Sequence, residues 1–254
     1  MKNRARWVVD IVSCCAFGLA VFVVLDKVYP SHSAVSKLQK QGEYQAALDK
    51  LQDMLIIDRK LRLRAWERET LNHLGLVYYD LGEYSQAMEY LHQALAIARD
   101  VGNSTGEGAI LNNLGLVYDD LGEYSQAMKY LHQALAIRRE VGDRTGEAVT
   151  LNNLGMVYND LGEYSQAMEY LHQALAIRRV VGDLAGEGNT LNNLGGVYNN
   201  QGEYSQAMEY FNQSLAIARE VGDRAGENLA RHNLNGVRRK LGHSAIEPSL
   251  STID

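Results

Sequence analysis

Residues 111–150 read LNNLGLVYDDLGEYSQAMKYLHQALAIRREVGDRTGEAVT, and residues 151–190 read LNNLGMVYNDLGEYSQAMEYLHQALAIRRVVGDLAGEGNT. The two stretches differ only at positions 116, 119, 129, 140, 144, 145, 148 and 149. So faithful a period marks a chain built by stacking one unit. Inside the unit, Val149, Leu151, Leu154, Val157, Tyr158 and Leu161 recur at three- and four-residue steps. That spacing gathers them on one face of a helix. Leu161-Gly162-Glu163 breaks the pattern. Tyr164, Ala167, Met168, Leu171, Ala174, Leu175 and Ile177 resume it, and Val181-Gly182-Asp183 ends it. Glycine at a helix stop accommodates left-handed backbone, and Asp143 is placed to cap the first helix. Each unit is predicted to be helix–turn–helix, with no strand pattern anywhere.

Outward from this pair, Leu71 and Leu191 open two further copies, giving repeats over 71–110, 111–150, 151–190 and 191–230. Gly42-Glu43-Tyr44 and Ala46-Ala47 place a divergent first repeat over 31–70. A broken copy from Arg231 predicts a capping helix over 231–243, and residues 244–254, with Pro248, predict a flexible tail. Only 2 Pro occur in 254 residues, as helices require. Gly115 and Ala127 are small enough for paired helices to approach closely, while Leu114, Tyr118, Leu131 and Leu135 fill the space between them. One pair cannot bury its apolar side alone, so neighbours must stack.

The N-terminus is different material. A basic segment over 1–6 carries Lys2, Arg4 and Arg6, and Trp7 to Leu25 then holds a single charge, Asp10. At about 1.5 Å per residue such a helix spans roughly 28 Å, close to the apolar thickness of a bilayer. Residues 7–29 are therefore predicted to be a transmembrane signal anchor, with Lys27 and Tyr29 at its interface. A cleaved signal peptide, a lipoprotein cleavage box at Ile11-Val12-Ser13-Cys14 and a buried core helix are the competing readings. The leading basic residues favour a cytoplasmic N-terminus and an extracytoplasmic repeat region. Lys27, Lys37 and Lys40 oppose that bias and keep the cytoplasmic face open.

The repeats resemble tetratricopeptide repeats through Leu111, Leu114-Gly115, Tyr118, Tyr124, Ala127, Leu131 and Ala134. The forty-residue period, with Leu-Asn-Asn-Leu-Gly and the Val141–Glu147 stretch, is similar to kinesin light chains and Pins-type adaptors. The resemblance implies an all-α fold, a right-handed α-solenoid of antiparallel helix pairs, here preceded by one transmembrane helix. It also implies that the first helix of each pair lines the inner face. That places Asn112, Asn113, Leu116, Asp119 and Asp120 there in the second full copy, and Asn152, Asn153, Met156, Asn159 and Asp160 in the third. Asn192, Asn193, Gly196, Asn199 and Asn200 follow in the fourth, and Asn72, His73, Leu76, Tyr79 and Asp80 occupy the first.

Asparagine both donates and accepts, so such a ladder suits the backbone of an extended peptide, with the variable positions 76/116/156/196 and 79/119/159/199 setting side-chain preference. An equal alternative is that the asparagines tie adjacent helices together. Asp80, Asp120 and Asp160 lie near helix C-termini, where the macrodipole disfavours them, and point to a partner with basic residues. The 25 basic and 31 acidic residues leave a net charge of −6, which argues against nucleic acid. Nothing implies catalysis, a cofactor or a metal site. Cys14 and Cys15 are apolar filler, and His92, His132 and His172 are one repeat apart, too far to share a zinc. Arg59, Lys60, Arg62, Arg64 and Arg68 form a basic stretch that reads either as a solvated helix face or as a contact for anionic lipid or an acidic partner. The function expected is a membrane-tethered protein–protein interaction scaffold or adaptor that holds a peptide. The rival is a self-associating, homo-oligomeric scaffold without a peptide ligand.

Overall fold

The computed structural model describes residues 32–242, which hold eleven helices and no strand. The helices are α1 His32–Lys40, α2 Tyr44–Leu61, α3 Arg64–Asp80, α4 Tyr84–Asp100, α5 Ser104–Asp120 and α6 Tyr124–Glu140. They continue as α7 Arg144–Asp160, α8 Tyr164–Val181, α9 Leu184–Asn200, α10 Tyr204–Glu220 and α11 Arg224–Lys240. The expected anchor over 7–29 and the tail over 244–254 lie outside the described residues. No described helix is long and apolar enough to cross a membrane. Two compact units divide at Ile137 and Arg138, within the last turn of α6.

Odd-numbered helices are the first of each pair and even-numbered helices the second. Each first helix starts seven residues before the Leu that opens a sequence copy, so the structural repeat runs ahead of the sequence phase. Accordingly α11 begins at Arg224, before the expected 231–243 cap, and is a complete first helix.

Both kinds of turn stop their helix in the same way. After α3, the Gly82 N–H donates to the Tyr79 carbonyl at 2.8 Å and the Glu83 N–H to that of Tyr78 at 2.9 Å. After α4, Gly102 and Asn103 repeat the arrangement on Arg99 and Ala98 at 3.2 and 2.8 Å. This double bond pattern needs a left-handed residue at the glycine, and Gly82 has φ 74°. The start of the next first helix is capped by a side chain. Asn103, Asp143 and Asp183 accept from the Gly106, Gly146 and Gly186 N–H at 2.8, 2.9 and 2.9 Å. The divergent first repeat keeps Gly42 at its first turn, with φ 75°, but lacks both devices at its second. Arg62 occupies the left-handed position at φ 56°, and Leu63 stands where the cap should be, with no side-chain cap.

Pairs close around the small residues. A Cβ at Gly115 would lie 2.6 Å from Leu131 Cγ and 3.4 Å from the Ala127 carbonyl. Leu114, Leu131 and Leu135 are buried, as the packing argument requires. The four pairs from α3 to α10 are also clasped by stacked tyrosines, Tyr78–Tyr90 and Tyr118–Tyr130 in the first unit and Tyr158–Tyr170 and Tyr198–Tyr210 in the second. All four have ring centroids 5.3 Å apart. Edge contacts of His92 with Tyr130 and His172 with Tyr210 keep those histidines in the packing.

Successive pairs are joined by a periodic ion pair across the second turn. In the first unit Arg59–Glu67 and Arg99–Glu107 lie at 3.0 and 2.7 Å. In the second, Arg139–Glu147, Arg179–Glu187 and Arg219–Glu227 lie at 2.8, 2.7 and 3.0 Å. The arginines are half exposed, so each contributes at most about 1 kcal/mol. The basic stretch before the first good repeat is partly spent internally. Arg59 also donates to Gln93, and Arg64 pairs with Glu67 and Asp100.

Candidate functional site

The first helices present five residues per copy on one side, at offsets 0, 1, 4, 7 and 8 from Asn72, and helical periodicity aligns them. In the first unit, Asn72, Asn113, Leu116 and Asp119 are half-buried and Asp120 is exposed, whereas Asn112 is buried. In the second, Asn152, Asn153, Met156, Asn192, Asn193 and Asn199 are half-buried and Asp160 is exposed, whereas Asn159 is buried.

The asparagines tie helices together. Asn113 Nδ2 donates to Asn72 Oδ1 at 3.0 Å in the first unit. In the second, Asn193 donates to Asn152 at 3.0 Å and Asn233 to Asn192 at 2.9 Å. Asn152 Oδ1 also accepts from the Thr190 hydroxyl at 3.2 Å. In all three of these ties the second asparagine of a copy donates to the first asparagine of the copy before. An amide has two N–H donors and a carbonyl with two lone pairs, so the tied carboxamides keep bonding capacity, although the Asn152 carbonyl, with two donors, keeps only that of its N–H groups.

The ends of the first helices differ between units. In the first unit Tyr79 donates to Asp120, and burial followed by that bond pushes its phenol well up from its ordinary value. Gln39 donates to Asp80 at 3.3 Å, and burial raises the Asp80 carboxyl. In the second unit Asn200 donates to Asn159 and Asn159 to Asp160, both at 3.0 Å. Lys240 Nζ donates to Asn199 Oδ1 at 3.0 Å and lies 5.6 Å from the Tyr204 ring centroid.

The second unit gathers Met156, Asn159, Asn192, Asn193 and Asn199 around one cavity of about 320 Å³. Its opening comes from Gly196 and Gly236. A Cβ built on either would meet nothing within 4 Å. Sequence reasoning placed Gly196 on this face. It missed His232, Gly236 and Lys240, because the copy from Arg231 was read as broken. Reading that copy forty residues on from 192, 196 and 200 would have found them. Among the described residues no group of three His, Cys, Asp or Glu side chains is arranged to hold a metal ion.

The model of the family described as "Tetratricopeptide repeat" matches residues 34–100, 66–140, 106–180 and 146–220. Solved structures share the fold at low identity. BtubC (BKLC) from P. vanneervenii is 22% identical, with a TM-score of 0.65 over 87% of this chain and 91% of that one. A putative kinesin light chain from Podospora anserina with nearly identical TPR-like repeats is 23% identical, with a TM-score of 0.58 over 76% and 95%. A Rap protein complexed with competence and sporulation factor is 20% identical, with a TM-score of 0.72 over 92% and 67%. No curated protein matches the chain.

Proposed function

The chain belongs to the tetratricopeptide repeat family, and we propose that it is an adaptor that holds an extended protein segment against the asparagine-bearing sides of its first helices. Residues 7–29 tether it to a membrane, with the repeats outside the cytoplasm. The observation that carries the reading is the one-sided tie. Each asparagine pair holds two repeats together while keeping donors and acceptors for a peptide backbone, beside side chains that vary from copy to copy. A protein of the same fold, a Rap protein, is complexed with competence and sporulation factor, which supports a ligand-holding role for the fold.

The self-associating rival meets an obstacle at α11. Where α9 offers Leu191, Gly195 and Tyr198 to its second helix, α11 carries Arg231, Asn235 and Arg238. Arg231 is exposed and paired with Glu227 at 2.8 Å. Charge and bulk at the positions that receive a second helix stop stacking there, as terminal repeats must.

The test is a screen of the full chain, in detergent, on a peptide array, followed by titration of the best peptides. Leu116→Lys with Met156→Lys alters the open side without touching an asparagine tie. Lost binding with unchanged far-ultraviolet circular dichroism supports the reading, and unaltered affinity overturns it. For the tether, membranes washed with alkaline carbonate should retain the full chain and release a variant lacking 7–29. Protease accessibility in sealed cells then reports the side.

A further inference from the structure

Two columns of the repeat change character toward the C-terminus. The first is 76/116/156/196/236, which reads Leu, Leu, Met, Gly, Gly. The second is 80/120/160/200/240, which reads Asp, Asp, Asp, Asn, Lys. In the second unit both changes meet at one place. Gly196 and Gly236 leave out the apolar side chains that fill this position in earlier copies, and the space they vacate is the cavity of about 320 Å³. Lys240 lines the same cavity, and no carboxylate does.

The lysine is positioned, not loose. Asn199 Oδ1 accepts one of its N–H groups at 3.0 Å, and the Tyr204 ring lies 5.6 Å from Nζ. An ammonium has three donors, so two remain for a ligand. Arg238 and Arg239 extend the positive charge along the last turn of α11. Those basic residues also complement the helix C-terminus, but that role asks only for charge near the helix end. It does not ask for two adjacent helices to lack a side chain beside it. Asp160, the acidic residue closest along the hydrogen-bond chain, holds the Asn159 amide and does not line the cavity.

We propose that this cavity is an anchor subsite for an acidic peptide segment. A large apolar side chain of the ligand occupies the space left by Gly196 and Gly236, above Met156 and Val237, and a neighbouring carboxylate pairs with Lys240. The inference rests on the peptide-binding reading and gives it a sign. The open side of the first unit, with Asp80, Asp119 and Asp120, has the opposite preference. Under this proposal the basic partner expected from the aspartates belongs to that unit alone, and the subsite takes the opposite sign.

The test uses the full chain in detergent and three fluorescent peptides on one serine-glycine frame: a phenylalanine flanked by glutamates, the same phenylalanine flanked by lysines, and the glutamates without the phenylalanine. The variants are Gly196→Leu, which restores the residue of positions 76 and 116, and Lys240→Asp, which restores that of 80, 120 and 160. Both residues are already tolerated by the repeat, and thermal melts verify folding.

The glutamate–phenylalanine peptide should bind best. Gly196→Leu should weaken it by about tenfold, the loss expected when a buried apolar side chain loses its place. Lys240→Asp should weaken it and flatten its dependence on salt. Preference for the lysine-flanked peptide, or affinity indifferent to Gly196→Leu, overturns the subsite while leaving peptide binding intact. If none of the three peptides binds, the subsite fails. If the array also yields no ligand, the peptide-binding reading falls with it.

Discussion

Gly195 and Gly196 are neighbours on α9 and answer to opposite requirements. A Cβ on Gly195 would sit 2.7 Å from ring atoms of Phe211, which is fully buried. A Cβ on Gly196 would meet nothing within 4 Å. One glycine is there because the second helix of the pair comes too close for anything larger. The other is there although the fold would accept a side chain. The same division runs through α3, α5, α7 and α9. Their packing side repeats almost unchanged as Leu, Leu and Gly, while their open side changes copy by copy. The physical lesson is that identity between copies marks where helices touch, and departures from it mark where the chain has freedom to be used.

Alanine at each glycine should break or confirm that division most sharply. At Gly195 the methyl forces the Phe211 ring to move inside a packed core, costing about 1–3 kcal/mol. That exceeds the gain of about 1 kcal/mol in helix propensity. At Gly196 only the gain applies. Urea denaturation should therefore show midpoints displaced in opposite directions, lower for Gly195→Ala and higher for Gly196→Ala. Equal displacement would mean that the two sides of α9 are not distinct.

The packing side also has a weak place. The joint between α2 and α3 carries Arg62 at φ 56° where the other joints have Gly102, Gly142, Gly182 and Gly222, and Leu63 where they have Asn103 or aspartate. A left-handed non-glycine residue costs about 1–2 kcal/mol, and a missing cap costs about 1 kcal/mol. Arg62→Gly with Leu63→Asp should raise the stability of the first unit by about 2–3 kcal/mol. Slower amide hydrogen exchange in α2 and α3 would check it. No change would show that the divergent repeat has compensations absent from its copies.

Much of this was readable in the sequence, and the parts that were not have definite causes. The helix pairs follow from apolar spacing, and the Asp143 cap and glycine stops stand where the residues imply. The roles of Gly115 and Leu131 also follow, because packing depends on size and period, and both are written in the repeat. The asparagines could not be resolved the same way. Their pairing joins residues forty-one positions apart, such as Asn113 with Asn72, and a column of like residues looks the same whether it faces a ligand or a neighbour. The cavity was hidden for another reason. Arg231, Asn235 and Arg238 end the packing pattern, so the last copy looked broken, yet its open side keeps register through His232, Gly236 and Lys240.

The smallest effect belongs to the open side of the first unit. Burial raises the Asp80 carboxyl above 3.8, and the hydrogen bond from Gln39 only partly opposes the shift. The folded state therefore holds that proton more tightly than the unfolded chain. Its contribution to stability is complete below the ordinary aspartate range and is lost as pH rises through the folded value. At neutral pH the ionised Asp80 is a net cost, increased slightly by its place at the C-terminus of α3. Asp80→Asn should remove the cost and keep an acceptor for Gln39. Because the site is exposed, the gain should stay within about 0.5 kcal/mol. Melting curves of both proteins should separate at neutral pH and converge in acid. A gap that persists unchanged into acid would trace the gain to packing rather than charge, and Asp80 would then belong to the fold instead of to the open side that a ligand meets.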